Sequence, residues 1–313
     1  MFWSSCFVAI RTGLTGFSPE PVAFFRVSVA ATCMILFGIA TGIRLPRLRD
    51  VPVLFLHGVV GFAAFNIAIF HGAELISIGS TSFIVSTVPV IATVLAVIFL
   101  KERITRRGAL GLVISMGGVG LISFGEGGGL TLNIGAFYVL LAACADGLYN
   151  ILQKPMLRRY TPVEYATYTL TAGAISLSPY MPELLDQLGE APATAIGGVL
   201  YLGVFGTAVP YALWTYSISR SNISRIVVFQ YAVPILGTFI GYVVLGETSP
   251  AIALWGGAVA LLGAVISSLP PRSQWGGRPR PGGTPLVIPG GPAGPERAVA
   301  PCPLPPGGDH PVR

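Results

Sequence analysis

The sequence predicts an all-α integral membrane protein, a ten-helix bundle with a truncated first helix, made of two inverted five-helix repeats. Three observations carry this expectation. Of the 313 residues, 53% are hydrophobic and 10% charged, with a mean hydropathy of +0.74, whereas a soluble domain carries about 25% charged residues. Long runs lack charge: GSTSFIVSTVPVIATVLAVIFL, residues 79–100, has none. A helix needs roughly 20 apolar residues to cross about 30 Å of hydrocarbon. Finally, PVIATVLAVIFLKE (89–102) returns as PILGTFIGYVVLGE (234–247), with proline and glutamate in the same places.

Taken in order, the predicted spans lie near 1–13, 21–43, 51–72, 78–100, 108–124, 133–153, 162–180, 195–217, 223–245 and 251–269. Each is an apolar stretch bounded by charged, Pro or Gly residues, and the connections are too short for a soluble domain. From Pro270 the chain is mostly proline and glycine. Such a segment buries too little apolar surface to offset the entropy of ordering it, so 270–313 is read as a disordered tail. The four cysteines (Cys6, Cys33, Cys144, Cys302) share no short spacing, so neither a metal knuckle nor a disulfide framework is indicated.

Charge gives the orientation. Arg44, Arg47 and Arg49 follow the second span; Lys101, Arg103, Arg106 and Arg107 follow the fourth. Lys154, Arg158 and Arg159 follow the sixth, and Arg220 and Arg225 separate the eighth from the ninth. The alternate loops hold no Lys or Arg. Basic loops stay cytoplasmic, which puts both termini inside. The net charge of +6 thus speaks of topology, and no nucleic-acid partner is expected.

Shifted by 145, Gly58, Gly61, Pro89, Thr93, Leu100, Glu102, Gly111 and Gly118 fall on Gly203, Gly206, Pro234, Thr238, Leu245, Glu247, Gly256 and Gly263. Shifted by 143, FSPEPVAFF falls on YTPVEYATY. The repeats are read as 1–125 and 133–269. Five is odd, so the second copy enters the membrane inverted, as the alternating basic loops require. Inverted repeats mark secondary transporters, whose halves rock about a midplane site. The sixth span begins about ten residues before the position equivalent to Met1, so the first helix is expected to be incomplete, through a misassigned start or a true truncation.

The opening FWSSCFVAIR, the P and R of PVAFFR, the paired P…LKE and P…LGE blocks and the glycine-rich fifth and tenth spans together resemble the EamA family of the drug/metabolite transporter superfamily. The likeness covers residues 1–269. It implies a carrier and says little of substrate, since such relatives are associated with amino acids, other metabolites, nucleotide sugars and drugs.

Ionisable groups within the membrane cost about 2.5–3.5 kcal/mol on insertion scales and mark function by default. Asp146 lies 13 residues into the sixth span, with Asn150 one turn on, and Tyr149 and Gln153 beside it. ADGLYNILQK also resembles the first helix of the small multidrug relatives, which implies that Asp146 binds protons or a cationic substrate in exchange. The bland reading is an acid near the inner interface paired with Lys154 or Arg225; Trp3 is its counterpart in the first copy. Arg26 and Arg11 are basic residues on the outer side. They either hold a carboxylate or phosphate in a vestibule or snorkel to the interface with Glu20. Arg26 matches an arginine common in the family, and its counterpart is Thr169. Asn66, Tyr211 and Trp214 are candidates for a cavity wall, and Gln230 and Tyr231, with Ser86 and Thr87, for polar groups facing it. Pro89 and Pro234 are read as hinges, each removing a backbone bond in mid-helix. Glu102 and Glu247 are read as boundary residues, and the pairs Gly38/Gly42 and Gly237/Gly241 as sites of close helix packing.

An intramembrane enzyme would need a nucleophile with a base, or a metal cluster, and three scattered histidines supply neither. No cofactor is expected. The sequence favours a secondary carrier exporting small metabolites or amino-acid-like compounds across a bacterial plasma membrane. Its expected partners are the small-molecule substrate, the lipid bilayer, protons as a candidate coupling ion, and, left open, a second copy of the chain in a homodimer. The rival readings are a nucleotide-sugar or lipid-linked carrier and a non-transporting assembly or sensor protein.

Overall fold

The computed structural model describes residues 2–100, 106–127, 133–211, 213 and 233–268. All regular structure among them is helical. Helix α1 spans Phe2–Gly13. Helix α2, Pro19–Thr41, starts with proline in its first turn, where a missing N–H costs nothing; it stops at Gly42, whose φ of 69° only glycine adopts readily. The Gly38/Gly42 pair therefore acts as a helix stop: the atoms nearest a Cβ on Gly38 belong to Ile43, just past the helix end, and a Cβ on Gly42 would meet nothing within 4 Å.

The third span is α3 (Val51–Gly58), a π-helical segment (Val59–Ala64) and α4 (Phe65–Leu75). The fourth is divided into α5 (Ile78–Val85) and α6 (Val88–Leu100). Ser77 caps α5 by accepting from the Ser80 N–H, and the hydroxyls of Ser86 and Thr87 take the carbonyls of Phe83 and Ile84 at the break. Pro89 thus falls in the first turn of α6 and not in mid-helix, where it would forfeit a bond.

Helix α7 runs Arg106–Gly127 and α8 Ile134–Met156, capped by Asn133. Helix α9, Pro162–Leu177, starts at a reciprocal cap of Thr161 and Glu164. The following connection, expected to be plain loop, contains α10 (Met181–Leu188). Its eight residues bury Leu184 and leave Met181 and Leu185 outside; so short an amphipathic helix, with a proline and two acids, falls below what an apolar-run criterion detects. Helix α11 (Ala193–Gly203) passes into a second π-helical segment, Val204–Ala208. Helices α12 (Val233–Leu245) and α13 (Ala251–Ser268) follow.

Among the described residues five helical stretches are long and apolar enough to cross a membrane: Pro19–Thr41, Val51–Leu75, Arg106–Glu126, Ile134–Gln153 and Ala193–Tyr211. Large apolar side chains such as Ile39 (71%), Phe239 (63%) and Trp255 (74%) are left exposed, as lipid-facing residues must be.

Small residues bring the helices together. Helices α7 and α13 pack so closely that a Cβ on Gly118 would lie 2.3 Å from the Ala260 nitrogen, and one on Gly263 2.4 Å from that of Ser115. Gly58 presses on the Thr169 carbonyl of α9, and Gly203 on Val29 and the Arg26 carbonyl of α2. Gly237 fits against Phe7 and Ser82, and Gly241 against Ile78, so this second glycine pair packs as expected.

Candidate functional site

Helix α4 and the π segment before it supply one wall. Phe62, Asn66 and Phe70 follow at successive turns, and the Asn66 amide donates to the Phe62 carbonyl at 2.7 Å. That bond fixes which end of the amide is nitrogen. It leaves Asn66 Oδ1, in a residue 2% exposed, without a donor among the described residues. Helices α4 and α8 are antiparallel neighbours: Phe62 stacks edge-on to Tyr149 at 5.3 Å, while Gly72 lies against Val139 further along. This register puts Asn66 level with Asp146.

Asp146 keeps partial exposure, yet it lies across α8 from the lipid-facing stripe of Phe137, Leu141 and Cys144: two residues on from Cys144 is some 200° around a helix of 3.6 residues per turn. Its recorded partner is the Asn150 amide, at 3.4 Å from Oδ1 and 2.9 Å from the backbone oxygen. The Lys154 side chain and Arg225 lie outside the described residues, and among those described no cation lies within salt-bridge distance.

Arg26, on α2, sits 6.0 Å over the Phe70 ring, one turn along α4 from Asn66. Its Nε donates to Thr207 Oγ1 at 3.2 Å. The Thr207 hydroxyl in turn donates to the Leu202 carbonyl five residues back, a reach the π-helical winding provides. Glu20 is not its partner, because that carboxylate pairs with His71 at 3.0 Å; among the described residues Arg26 has no carboxylate in salt-bridge range. Tyr211, one turn beyond Thr207, packs at a tilt against Phe62, ring centroids 5.9 Å apart, and its hydroxyl lies within electrostatic reach of both Arg26 and Asp146. Arg26 on Phe70, Tyr211 on Phe62 and Asn66 between those two rings thus line one face of the π segment and α4, with Asp146 at the same level on α8.

The position equivalent to Arg26 is neutral. Thr169 bonds Tyr149 at 3.2 Å, Tyr149 packs at a tilt against Tyr165 at 5.7 Å, and Tyr165 bonds His57 at 2.9 Å.

Arg11 lies elsewhere, at the end of the bundle where α4, α5 and α12 meet. Its guanidinium grips both Glu247 oxygens, at 3.2 and 3.3 Å, and donates to the carbonyls of Ala73, Glu74 and Ile76. Glu247 also accepts from the Ile78 N–H at 2.8 Å. Nearby, Glu126 accepts from Ser77 and Ser80, and Ser77 bonds Ser249. Trp3 is half-buried against the core. Pro234 lies in the first described turn of α12; Trp214, Gln230, Tyr231 and Glu102 lie outside the described residues. Among the described residues no three His, Cys, Asp or Glu side chains are grouped as metal ligands.

The EamA-like transporter family matches residues 1–124 and again 133–269. The chain belongs to the EamA-like transporter family. Among relatives, a protein of Streptantibioticus cattleyicolor named "Probable terminal-alkyne amino-acid exporter" is 32% identical over 264 residues, 84% of this chain and 89% of its own length. The "Uncharacterized transporter YdfC" of Bacillus subtilis is 33% identical over 267 residues, 85% and 87% of the two chains. One solved crystal structure superposes with a TM-score of 0.59 at 17% identity, covering 85% of this EamA-like chain and 92% of its own; that likeness concerns the fold alone.

Four residues of this EamA-like site escape a reading of sequence: Phe62, Phe70, Thr207 and Leu202, whose carbonyl accepts from the Thr207 hydroxyl. The usable signal was the spacing of Gly58 with Gly61 and Gly203 with Gly206: the first of each pair immediately precedes a π segment and the second lies within it. Such segments are frequent at functional sites.

Proposed function

We propose that this protein is a secondary active transporter exporting small metabolites or amino-acid-like compounds by alternating access. In this reading the halves are residues 1–125 and 133–269, inverted in a plasma membrane, with both termini and the 270–313 tail on the cytoplasmic side. The observation that carries it is the pair Arg26 and Asp146, two charges inside an apolar bundle with no opposite charge in range among the described residues. Such groups are costly unless they serve a substrate or ion path.

The inverted arrangement is supported by reciprocal contacts. Gly58 on Thr169 answers Gly203 on Arg26, and Gly118 beside Gly256 answers Gly263 beside Gly111. In each case the 145- and 143-residue shifts turn one contact into the other. The amino-acid preference is supported by the name of the S. cattleyicolor relative. A nucleotide-sugar or lipid-linked substrate would call for several basic groups at the site, and Arg26 is the single one among the described residues there.

Asp146 is proposed to carry protons or the substrate's cationic group in exchange. Among the described residues, Asn150, Tyr149 and Tyr211 interact with it. The test is counterflow in proteoliposomes with pooled labelled amino acids and organic cations, with and without an imposed pH gradient. Saturable, gradient-sensitive exchange is expected; no exchange from any pool would end the carrier reading. Asp146→Asn should remove the gradient dependence, and a variant as gradient-sensitive as the wild type would end the coupling role.

A further inference from the structure

Among the described residues, the site's two charges, Arg26 and Asp146, are not paired with each other or with any other opposite charge. Phe70, beneath Arg26, lies one turn from Asn66, which is level with Asp146. One turn is about 5.4 Å. A molecule lodged there meets a forked cation at one end and two oxygen acceptors at the other, Asp146 Oδ and the orphaned Asn66 Oδ1. Phe62 and Tyr211 are packed alongside.

We propose that Arg26 and the Asp146–Asn66 pair hold the two ends of one zwitterion, an α-amino acid whose carboxylate faces Arg26, whose ammonium faces Asp146 and Asn66 Oδ1, and whose side chain lies on Phe62 and Tyr211. This deepens the carrier reading above and rests on it. Four observations converge. Guanidinium suits a carboxylate because its donors are forked and planar, and Thr207 engages only Nε, leaving the terminal nitrogens of Arg26 without an acceptor among the described residues. An ammonium needs several acceptors, and a carboxylate beside an amide oxygen supplies them. A buried acceptor with no donor among the described residues asks for one from a ligand. The one-turn offset suits an ammonium and a carboxylate carried on the same carbon.

The site's two ends can be tested separately with three probes on the full-length protein in proteoliposomes: labelled L-phenylalanine, its methyl ester, which keeps the ammonium and lacks the carboxylate, and 3-phenylpropionate, which keeps the carboxylate and lacks the ammonium. Phenylalanine should exchange saturably, and each analogue should compete at least ten-fold more weakly. In Arg26→Gln the preference for phenylalanine over its ester should fall toward one, with Arg26→Lys restoring part of it. In Asn66→Leu the preference over 3-phenylpropionate should fall.

An ester that competes as well as the amino acid would overturn the role of Arg26, and an equally potent 3-phenylpropionate that of Asp146 and Asn66. Exchange of organic cations alone would overturn the zwitterion site and leave the carrier standing. If phenylalanine neither exchanges nor raises the melting temperature of the detergent-solubilised protein, the zwitterion site is overturned, and the pooled counterflow still judges the carrier separately. Because the analogues act on the wild-type protein, the result does not depend on any variant folding.

Discussion

At Asn66 a buried carbonyl oxygen has lost water and gained nothing from the described protein in return. Such a group costs about 1–3 kcal/mol, while the bond made by its amide returns about 1 kcal/mol. Asn66→Leu should therefore leave thermal stability in detergent unchanged or raised by about 1 kcal/mol, yet lower amino-acid affinity at least ten-fold. A variant that unfolds early but binds normally would make Asn66 structural. Charged and amide side chains like this one are legible in the sequence, because Arg26, Asn66 and Asp146 interrupt apolar runs where every polar group is conspicuous. Phe62 and Phe70 are not, since an aromatic residue facing the site and one facing lipid look alike until the rotation of the helix is known. Glu20 was equally ambiguous: only the fold shows that it bonds His71 and leaves Arg26 to Thr207.

For whole elements, apolar runs locate helices well because length and charge decide them, but they say nothing of winding or breaks. The span expected at 78–100 is two helices, with hydroxyls capping the break, and the third and eighth spans contain π turns at equivalent places. Both features arise from backbone hydrogen bonding, which composition averages away. Glycine spacing does carry information, though which glycines touch a neighbour must be learned from packing. Gly117 and Gly118 make the point as neighbours on α7. A Cβ at Gly118 would meet the Ala260 backbone at 2.3 Å, while one at Gly117 meets nothing within 4 Å. Backbone cannot step aside as a flexible side chain can, so Gly118→Ala should cost about 1–3 kcal/mol through overpacking. Gly117→Ala should be neutral or stabilising by up to about 1 kcal/mol, since alanine is the better helix former. Thermal unfolding of the two variants side by side checks this, and equal stability would remove close packing of α7 on α13 as the reason for Gly118.

Across the whole molecule, the proposed alternation requires a closure on each side that opens when the other forms. On the side read as outer, Arg11 joins α1 to the ends of α4 and α12 through Glu247 and three carbonyls. The same sequence shifts carry Arg11 to Lys154 and Glu247 to Glu102, residues of opposite charge on the side read as inner. Two ion pairs related in this way would compete, each stabilising the access state in which it is made. A bidentate, partly exposed pair of this kind contributes on the order of 1 kcal/mol, enough to shift a balanced equilibrium about five-fold. Arg11→Ala should therefore raise outward access, read as faster labelling of Cys6 by a membrane-impermeant maleimide in a chain whose other cysteines are serine. Cys6 is well placed to report this, being buried beside Gly206 near the charged site. Arg11→Glu should slow transport, and adding Glu247→Arg should restore part of it by rebuilding the pair with its charges exchanged. If Arg11→Ala leaves Cys6 labelling unchanged, and the exchanged pair behaves no better than Arg11→Glu alone, the contact is a static brace at the end of the bundle and the closure must lie elsewhere.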